Sequence, residues 1–363
     1  MAVESKLLSR LLPDVEEEAR RRILSLRIPR KRELTRDLQF MALYKYNSYE
    51  VYNAGKGFLQ SLLEWLNQFE SSKDKESGLI LVRSLLFLSR REILELSHVT
   101  YQRILQEMMD KLIEVQKLRA FDYASAFRRL RKFVNSCVFV GMSDGAQIDY
   151  FRRHGTEIIN NDHVVPYYKV DEEEKKKFRK IKYAFLLDDM CGSGTTFLRK
   201  EKTKTRSVVD GQFARFLRKW RRVKFEAIYY CPYVITEKGL KRLEKLVLGP
   251  RRIVNRDKGF RFKILPGMCI PESYSILSAR NSLFRSQEDC IRVRTLCEKY
   301  YDASVEDDHT RKGGGCKYGF GKTGIILVRY NNTPNNTPSI VWHASDQMRG
   351  PKSLFKRLAR HRD

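Results

Sequence analysis

Short, continuous apolar runs in the second half of the chain predict buried strands. Residues 183–187 read YAFLL and residues 137–140 read CVFV. Runs of this length without polar interruptions are typical of strands covered on both faces in a parallel sheet. A third run, residues 225–230, follows the helix-like segment GQFARFLRKW and ends in a predicted turn at Cys231-Pro232. Strands that alternate with helical segments predict an α/β domain.

The first 125 residues have a different pattern, in which apolar residues recur at helical spacing. One such set is Phe58, Leu59, Leu62, Leu63, Leu66 and Phe69. A second set is Ile104, Leu105, Met108, Met109, Leu112 and Val115. The pattern predicts a basic helical region at residues 1–125, an α/β domain at 126–345 and a basic tail at 346–363.

Charged residues near the amino terminus predict an exposed helix face. Asp14 and Glu17 follow Pro13 and match a capping box, which predicts that a helix begins there. Glu16, Glu17 and Glu18 each precede an arginine by four residues, a spacing at which side chains pair on a helix surface. The simplest interpretation of these charges is a solvated face.

The residues with the clearest chemistry follow the YAFLL run directly. Asp188 and Asp189 lie at its predicted carboxyl end, where open α/β sheets bind ligands. The small-residue loop that follows contains Gly192, Ser193, Gly194, Thr195 and Thr196. Its amides and hydroxyls suit a phosphate, and a helix predicted to begin at Phe197-Leu198 favours the same anion. Because a carboxylate pair suits sugar hydroxyls or magnesium, the stretch predicts a ribose 5-phosphate site.

The stretch LLDDMCGSGTT resembles the signature of the type I phosphoribosyltransferases, which is a hydrophobic strand, two acidic residues, an apolar residue and a Ser/Thr/Gly loop. The resemblance implies a mostly parallel sheet of that kind, preceded here by the helical region. It also implies that Asp188 and Asp189 contact the ribose hydroxyls and Mg²⁺ of phosphoribosyl pyrophosphate (PRPP), while Ser193 to Thr196 hold the 5-phosphate. A strand-to-helix turn in some other α/β domain is the alternative.

A second loop occupies the position of the family's pyrophosphate loop, between the CVFV run and the helix-like QIDYFRRHG. Its residues are Gly141, Met142, Ser143, Asp144 and Gly145. Asp144 departs from the family pattern, because a carboxylate repels pyrophosphate unless magnesium lies between them or the side chain turns away. Gly192 also departs, since purine-salvage members carry a catalytic acidic residue there. An enzyme that transfers the pentosyl group from PRPP and a catalytically inactive binding subunit or toxin both remain open.

The segment YGFGKTGIILVRYNNTPNNTPSIVWH resembles the ending of phosphoribosyltransferase-like effectors of bacterial conflict systems, including those encoded beside retron reverse transcriptases. That resemblance implies an anti-phage defence effector, with a reverse transcriptase or other defence proteins as partners. Gly321-Lys322-Thr323 matches the end of a Walker A loop. A P-loop nucleotide triphosphatase is rejected, because Cys316 replaces the required glycine and an apolar strand, not a helix, follows.

The net charge is larger than one phosphosugar site requires. The chain has 71 Lys and Arg against 44 Asp and Glu, a formal charge of +27, which favours RNA or single-stranded DNA as a partner bound through its phosphates. The arginines assigned to this contact are Arg218, Arg221, Arg222, Arg357, Arg360 and Arg362. Tyrosines and lysine interleave between Tyr44 and Tyr52, as on single-strand binding surfaces. The alternative is a solvated surface.

Composition also predicts the compartment. The longest apolar run, Leu79 to Leu88, is interrupted by Arg83 and is too short for a membrane span, and no signal-peptide core precedes it. Seven cysteines without a C-x-x-C pair favour a reducing cytoplasm. We therefore expect a cytoplasmic protein with no membrane partner, in which Cys191 is a small filler and not a nucleophile.

Overall fold

The computed structural model describes residues 2–52, 56–116, 123–143, 146–155, 158–167, 178, 180–202, 207–247, 259–306, 314–345 and 350–358. The chain forms two compact units. We call Met1–Glu92 with Glu272–Asp363 the discontinuous unit, and Ile93–Pro271 the sheet unit. The boundaries predicted at residues 125 and 345 stay predictions.

Seven of the described helices precede Cys137, and nine of the ten described strands begin there or later. The helices are α1 (Ala2–Ser25), α2 (Lys31–Thr35), α3 (Leu38–Tyr44), α4 (Phe58–Asn67), α5 (Ser72–Arg83), α6 (Arg90–Gln116), α7 (Tyr123–Val134), α8 (Ile148–Gly155), α9 (Gln212–Lys219), α10 (Glu237–Val247), α11 (Gln287–Lys299) and α12 (Ser339–Trp342). The strands are β1 (Leu86–Leu88), β2 (Cys137–Gly141), β3 (Val164–Pro166), β4 (Tyr183–Cys191), β5 (Arg199–Lys202), β6 (Ser207–Asp210), β7 (Ala227–Thr236), β8 (Arg261–Ile264), β9 (Met268–Ile270) and β10 (Leu327–Arg329). The helical set predicted near residues 58–69 lies in α4 except for Phe69, which follows the end of that helix, and the set near residues 104–115 lies in α6.

A six-stranded parallel sheet is the centre of the sheet unit. Its strand order is β3-β2-β4-β7-β8, and β9 pairs with the far half of β7. The predicted α/β fold with a mostly parallel sheet is therefore confirmed. From β2 the chain turns first to one side, to β3, and then to the other, to β4. The gap between the carboxyl ends of β2 and β4 is thus the topological switch point, where sheets of this order bind ligands.

Both faces of this sheet are buried, as the apolar runs predicted. On one face α9 and α10 contribute core residues that include Phe213, Phe216 and Leu243. On the other face α6, α7 and α8 contribute Ile104, Met108, Leu112, Leu130, Val134 and Phe151. Across three strands the rings of Phe139, Phe185 and Tyr229 stack, with centroids 5.2 Å and 4.6 Å apart. The register of the strands is thus stabilised by cross-strand ring contacts and by helices that pack on both faces of the sheet.

Strand β7 is longer than the sequence indicated. The turn predicted at Cys231-Pro232 is wrong, because β7 continues to Thr236 with every residue buried. Pro232 lies where the edge partner of β7 changes from β8 to β9. A residue without a backbone N–H fits best at such a break in a ladder.

The tyrosine-rich surface predicted between Tyr44 and Tyr52 is also wrong. Tyr46 and Tyr49 are only 2% and 3% exposed, and their rings pack within 5.8 Å and 5.1 Å of the Phe355 ring. Burial raises the pKa of both hydroxyls. Tyr44 is 75% exposed, so a continuous stacking surface of these tyrosines does not form.

Glu16 has a structural role that the helical charge pattern concealed. The predicted helix start at Asp14 is wrong, because α1 begins at Ala2 and continues through Pro13. Glu16 is buried, and its carboxylate accepts hydrogen bonds from the backbone amides of Leu59 and Gln60, each at 3.0 Å. Glu16 therefore satisfies the first turn of α4, where it also complements the positive end of the helix.

We expect Glu16→Ala to lower the free energy of unfolding by about 1 to 2 kcal/mol, because the first amides of α4 lose their acceptor. Urea denaturation measures this loss. Glu18→Ala is the matched control, since Glu18 is exposed on the same helix, and a change within about 0.5 kcal/mol is expected for it. Equal stability of the two variants would contradict the capping role.

Candidate functional site

Strand β4 carries the two predicted carboxylates within its length. The prediction that the strand ends at Leu187 is wrong, because β7 runs alongside it and supplies partners as far as Cys191. Asp188 and Asp189 are consequently buried, with 5% and 2% of their surface exposed. Since neighbouring side chains of a strand point to opposite faces, the two carboxylates face different sides of the sheet.

Asp188 faces the α9 and α10 side of the sheet and is held by three donors. Its Oδ1 accepts hydrogen bonds from Ser143 Oγ at 2.8 Å and from the Asp189 backbone amide at 3.0 Å. Its Oδ2 accepts one from the hydroxyl of Tyr230 at 2.9 Å. Burial, together with the charge of Asp188, raises the pKa of Tyr230 well above its usual value. Tyr230 therefore remains a donor, and Asp188 is fixed in orientation.

Asp189 faces the other side of the sheet, where α6 lies. The nearby hydroxyl of Tyr233 has a raised pKa, first because the residue is buried and further because of the charges of Asp189 and Asp188. The expectation that both carboxylates contact one ribose stays a prediction. The length of β4 restricts this contact. A single ligand could reach both faces of the sheet only from the carboxyl ends of its strands.

The predicted pyrophosphate loop lies next to Asp188. Gly141 ends β2, the backbone amide of Met142 donates to the Leu187 carbonyl at 2.8 Å, and Ser143 makes the bond to Asp188. A Cβ on Gly141 would lie 2.5 Å from Ile148, so glycine is needed where α8 packs. Asp144 and Gly145, the other two residues predicted for this loop, lie outside the described residues. The structure thus brings the described part of this loop and β4 together at the switch point.

The predicted phosphate loop begins where β4 ends. Ser193 is buried, and its hydroxyl donates to Thr195 Oγ1 at 3.1 Å while it accepts from the Thr195 amide at 3.4 Å. Thr195 is half-buried and Thr196 is exposed. Gly194 has φ +73°, a conformation that favours glycine. The loop therefore turns tightly and leaves its hydroxyl-bearing end near the surface.

The helix predicted to start at Phe197-Leu198 is wrong, because a single turn forms there and strand β5 begins at Arg199. The Leu198 amide donates to the Gly194 carbonyl at 3.0 Å, after which the chain forms the β5-β6 hairpin. On its return the amides of Gln212 and Phe213 donate to the carbonyls of Thr196 and Phe197, at 3.0 Å and 2.9 Å. In an α-helix the donor and the acceptor are four positions apart, whereas in these two bonds they are sixteen positions apart. The twelve extra residues, 199–210, therefore lie between two parts of one helix-like series of hydrogen bonds.

Gly211 closes this insertion. Its φ is +113°, and a Cβ at this position would lie 2.6 Å from the Phe197 carbonyl oxygen. Only glycine therefore lets α9 rejoin the turn that follows the phosphate loop. The side chain of Gln212 then donates to the Met142 carbonyl at 3.0 Å, which connects the start of α9 to the pyrophosphate loop.

Thr236 and Gly239 hold the phosphate loop from the opposite side, and sequence reasoning missed both. Thr236 Oγ1 donates to the Gly192 carbonyl at 2.7 Å and accepts from the Gly239 amide at 2.9 Å. A side chain on Gly239 would collide with the Gly192 carbonyl, and Gly194 packs on Leu243. Thr236 is the first residue of TEKGLKRLEKLV, where a threonine is an ordinary helix-start signal, so its contact with the loop is visible only in three dimensions.

Arg242 is a second residue near the loop that the sequence did not indicate. It lies on α10 and interacts electrostatically with Cys191, and desolvation lowers the pKa of its guanidinium. Burial raises the pKa of the Cys191 thiol to about 12, and the charge of Asp188 adds to this effect. The thiol is therefore protonated near neutral pH, in agreement with the interpretation of Cys191 as a filler.

The arginines predicted to contact nucleic acid fall into two groups. Arg218, Arg221 and Arg222 are exposed at the end of α9 and just beyond it, and Arg218 lies 3.6 Å from Asp210. In the discontinuous unit Arg357 stacks over the Trp342 ring at 5.2 Å. Arg360 and Arg362 lie outside the described residues. Contact with nucleic acid stays a prediction for all of them.

No group of three His, Cys, Asp or Glu side chains in the described part of the chain could hold a metal ion by itself. The assignment of magnesium to Asp188 and Asp189 stays a prediction. None of the described helices has the length and apolar character needed to cross a membrane.

We expect Thr236→Val to lower the free energy of unfolding by about 2 kcal/mol, because the Gly192 carbonyl and the Gly239 amide both lose a buried partner. Thr236→Ser keeps the hydroxyl and should remain within about 1 kcal/mol of the natural protein. Urea denaturation of the two variants in parallel provides the measurement. If valine is tolerated as well as serine, Thr236 does not hold the loop.

Comparison with known proteins gives a family for this arrangement. A family model described as PRTase-CE matches residues 62–357, a span that contains β2, β4 and both predicted loops. No curated protein and no solved structure matches the chain. The match covers most of the sequence and agrees with the resemblance to phosphoribosyltransferases in LLDDMCGSGTT. The chain therefore belongs to the PRTase-CE family and is a phosphoribosyltransferase-like protein.

Proposed function

We propose that this protein binds PRPP or a related ribose 5-phosphate ligand where β2 and β4 end. The observation that carries the proposal is the 2.8 Å hydrogen bond from Ser143 to Asp188. It joins the loop after β2 to the acidic strand β4 across the switch point, where sheets of this order bind ligands. The small-residue loop Gly192–Thr196 follows β4 at the same end of the sheet, which supports a ligand that combines a sugar with a phosphate.

The phosphate and the ribose of such a ligand each match protein groups at this site. The phosphate lies against the amides of the Gly192–Thr196 loop, because backbone N–H groups in a tight turn attract anions. The ribose hydroxyls donate to Asp188, whose orientation is already set by Ser143 and Tyr230. Arg242 adds a positive charge close to the loop. The site is therefore largely formed before the ligand arrives.

Magnesium belongs to this proposal only as the companion of a pyrophosphate group. Asp188 or Asp189 would hold it, since magnesium with phosphate ligands takes one or two carboxylates from the protein and these two face different sides of the sheet. Bound there, it would neutralise charge on the pyrophosphate oxygens. The carboxylates of the chain stabilise positive charge that develops on a ribose when pyrophosphate leaves its C1 atom.

Pentosyl transfer and binding without catalysis are both compatible with this site. Gly192 supplies no acid or base, so a transferase would need that group from the acceptor or from another residue. The alternative is an inactive phosphoribosyltransferase-like toxin or binding subunit. On the resemblance alone we also propose that it acts in the cytoplasm as an anti-phage defence effector, in a retron-like complex with a reverse transcriptase or other defence proteins.

We expect Asp188→Asn to weaken binding of PRPP at least tenfold, or about 1.4 kcal/mol, because it removes the charge that accepts from ribose or holds magnesium. Calorimetry with PRPP and magnesium measures the change. Asp189→Asn tests the carboxylate on the other face of the sheet. Asp162→Asn is the control, since Asp162 is exposed in the sheet unit. No heat from the natural protein with PRPP or ribose 5-phosphate would reject the proposed ligand.

The same variants separate catalysis from binding alone. A transferase releases pyrophosphate from PRPP when bases, nucleosides or nucleic acids are offered as acceptors, and Ser193→Ala with Thr196→Val should reduce that release. Absence of pyrophosphate across this panel, with PRPP still bound, identifies the inactive binding subunit. The defence role is decided by phage plating efficiency on cells that carry the gene, with and without the change at Asp188.

We also propose that the protein binds RNA or single-stranded DNA, because Arg218, Arg221 and Arg222 are exposed at the end of α9 and just beyond it and the chain carries a charge of +27. Changing all three to glutamine should weaken binding at every sequence tested. It should also reduce the slope of log K against log salt by up to about 0.7 per lost contact with a single strand. Fluorescence anisotropy over a salt series measures both effects.

The matched control for this prediction removes three charges elsewhere. Lys73, Arg91 and Arg280 are exposed, and their triple glutamine variant should keep most of the affinity and of the slope. Equal losses in the two triple variants would mean that the attraction is a property of total charge alone. An affinity of the natural protein that does not change with salt would remove the basis for this partner.

A further inference from the structure

The discontinuous unit contains a polar cavity of about 290 Å³ that the proposed PRPP site does not use. Helix α4 contributes Ser61 and Glu64 to its wall. The segment after α12 contributes Lys352, Ser353 and Lys356, and Lys56 completes the charged part of the lining. Three ammonium groups thus surround one carboxylate, so the cavity has an excess of positive charge.

The single carboxylate is already neutralised. Glu64 accepts two hydrogen bonds from the ammonium of Lys56, at 2.8 Å and 2.7 Å, and a third from Gln60 at 2.9 Å. Burial acts to raise the pKa of Glu64, but these donors and the charge of Lys352 outweigh it, and the pKa is lowered. Glu64 is therefore ionised, forms its ion pair with Lys56 and interacts with Lys352 only through its charge, so neither Lys352 nor Lys356 is directly paired with it.

Lys352 and Lys356 form no ion pair with any side chain in the described part of the chain. Lys352 is half-buried and Lys356 is exposed. Two lysines of like charge on one cavity wall repel each other unless an anion lies between them. The lining therefore provides two ammonium groups and nearby serine hydroxyls without a protein acceptor for the charges.

The wall that carries these lysines is rigidly held although it is not helical. Gln68 accepts from the Lys352 amide at 3.0 Å and donates to the Lys352 carbonyl at 3.1 Å. The amides of Leu354 and Phe355 donate to the Val341 carbonyl at 2.9 Å and 3.0 Å, and Phe355 is fully buried. Because the backbone is fixed in advance, little ordering entropy is lost when a ligand binds.

We propose that this cavity binds the phosphate group of a small phosphorylated metabolite between Lys352 and Lys356. Charge decides the class of ligand, since two unpaired ammonium groups match a dianion and repel a metal cation. Size limits it further, because about 290 Å³ is at the small end of ligand pockets, about 300 Å³. Ser61 and Ser353 supply hydroxyl donors for the same anion. The site belongs to a different unit from the proposed PRPP site and does not depend on it.

The test uses inorganic phosphate and ribose 5-phosphate as probes in calorimetry of the full chain. All proteins carry Ser193→Ala and Thr196→Val, which weaken phosphate binding in the sheet unit. Adding Lys352→Gln and Lys356→Gln should reduce the remaining affinity at least tenfold. Adding Lys73→Gln and Lys75→Gln instead removes the same charge from the discontinuous unit and should leave the affinity within about twofold, a change below 0.5 kcal/mol.

Hydrogen exchange locates the bound probe independently of these variants. Inorganic phosphate should slow amide exchange in the natural protein within residues 350–358, and the Lys352 and Lys356 changes should abolish that protection while urea unfolding stays unaltered. The proposal is rejected if the Ser193 and Thr196 background binds neither probe. It is also rejected if the Lys352/Lys356 and Lys73/Lys75 variants bind the probes equally well.

Discussion

The long parallel pairing of β4 with β7 is the constraint on which the sheet unit depends. Because β7 is buried along its whole length, it supplies partners to β4 as far as Cys191. That pairing carries Asp188 and Asp189 into the sheet, directs them to opposite faces and places Tyr230 beside Asp188. The same strand ends in Thr236, which holds the Gly192 carbonyl. One ladder therefore determines the acidic positions and the shape of the loop after them.

The sequence correctly predicted those strands that are determined by their own run of apolar residues. The runs CVFV and YAFLL became β2 and β4 because they are apolar on both faces, and the order of these runs was enough to expect a parallel sheet. Errors arose where a distant partner decides the outcome. The length of β4 depends on β7, and the burial of Tyr49 depends on Phe355, about three hundred positions away. Glu16 looked like surface charge because the amides it caps belong to another helix.

The acidic pair shows how far a motif can determine a site. The letters DD and the small-residue loop predicted a site after the YAFLL strand, and the family match covers these residues without testing their role. The motif could not show that the carboxylates face different sides, since this follows from the strand continuing past them. Nor could it show Arg242 or Gly239, which reach the loop from α10. The local sequence indicated which residue types are present, whereas neighbouring strands and helices determine how these residues are arranged.

The interrupted helix has a consequence for how this fold can diversify. The two ends of the inserted segment lie side by side, because Arg199 pairs with Asp210 in the β5-β6 register and the helical ladder resumes at once. A segment whose ends already meet can change in length at little entropic cost, since closure depends only weakly on loop size. Residues can therefore be inserted next to the predicted phosphate loop, where they add new surface while the core keeps its packing.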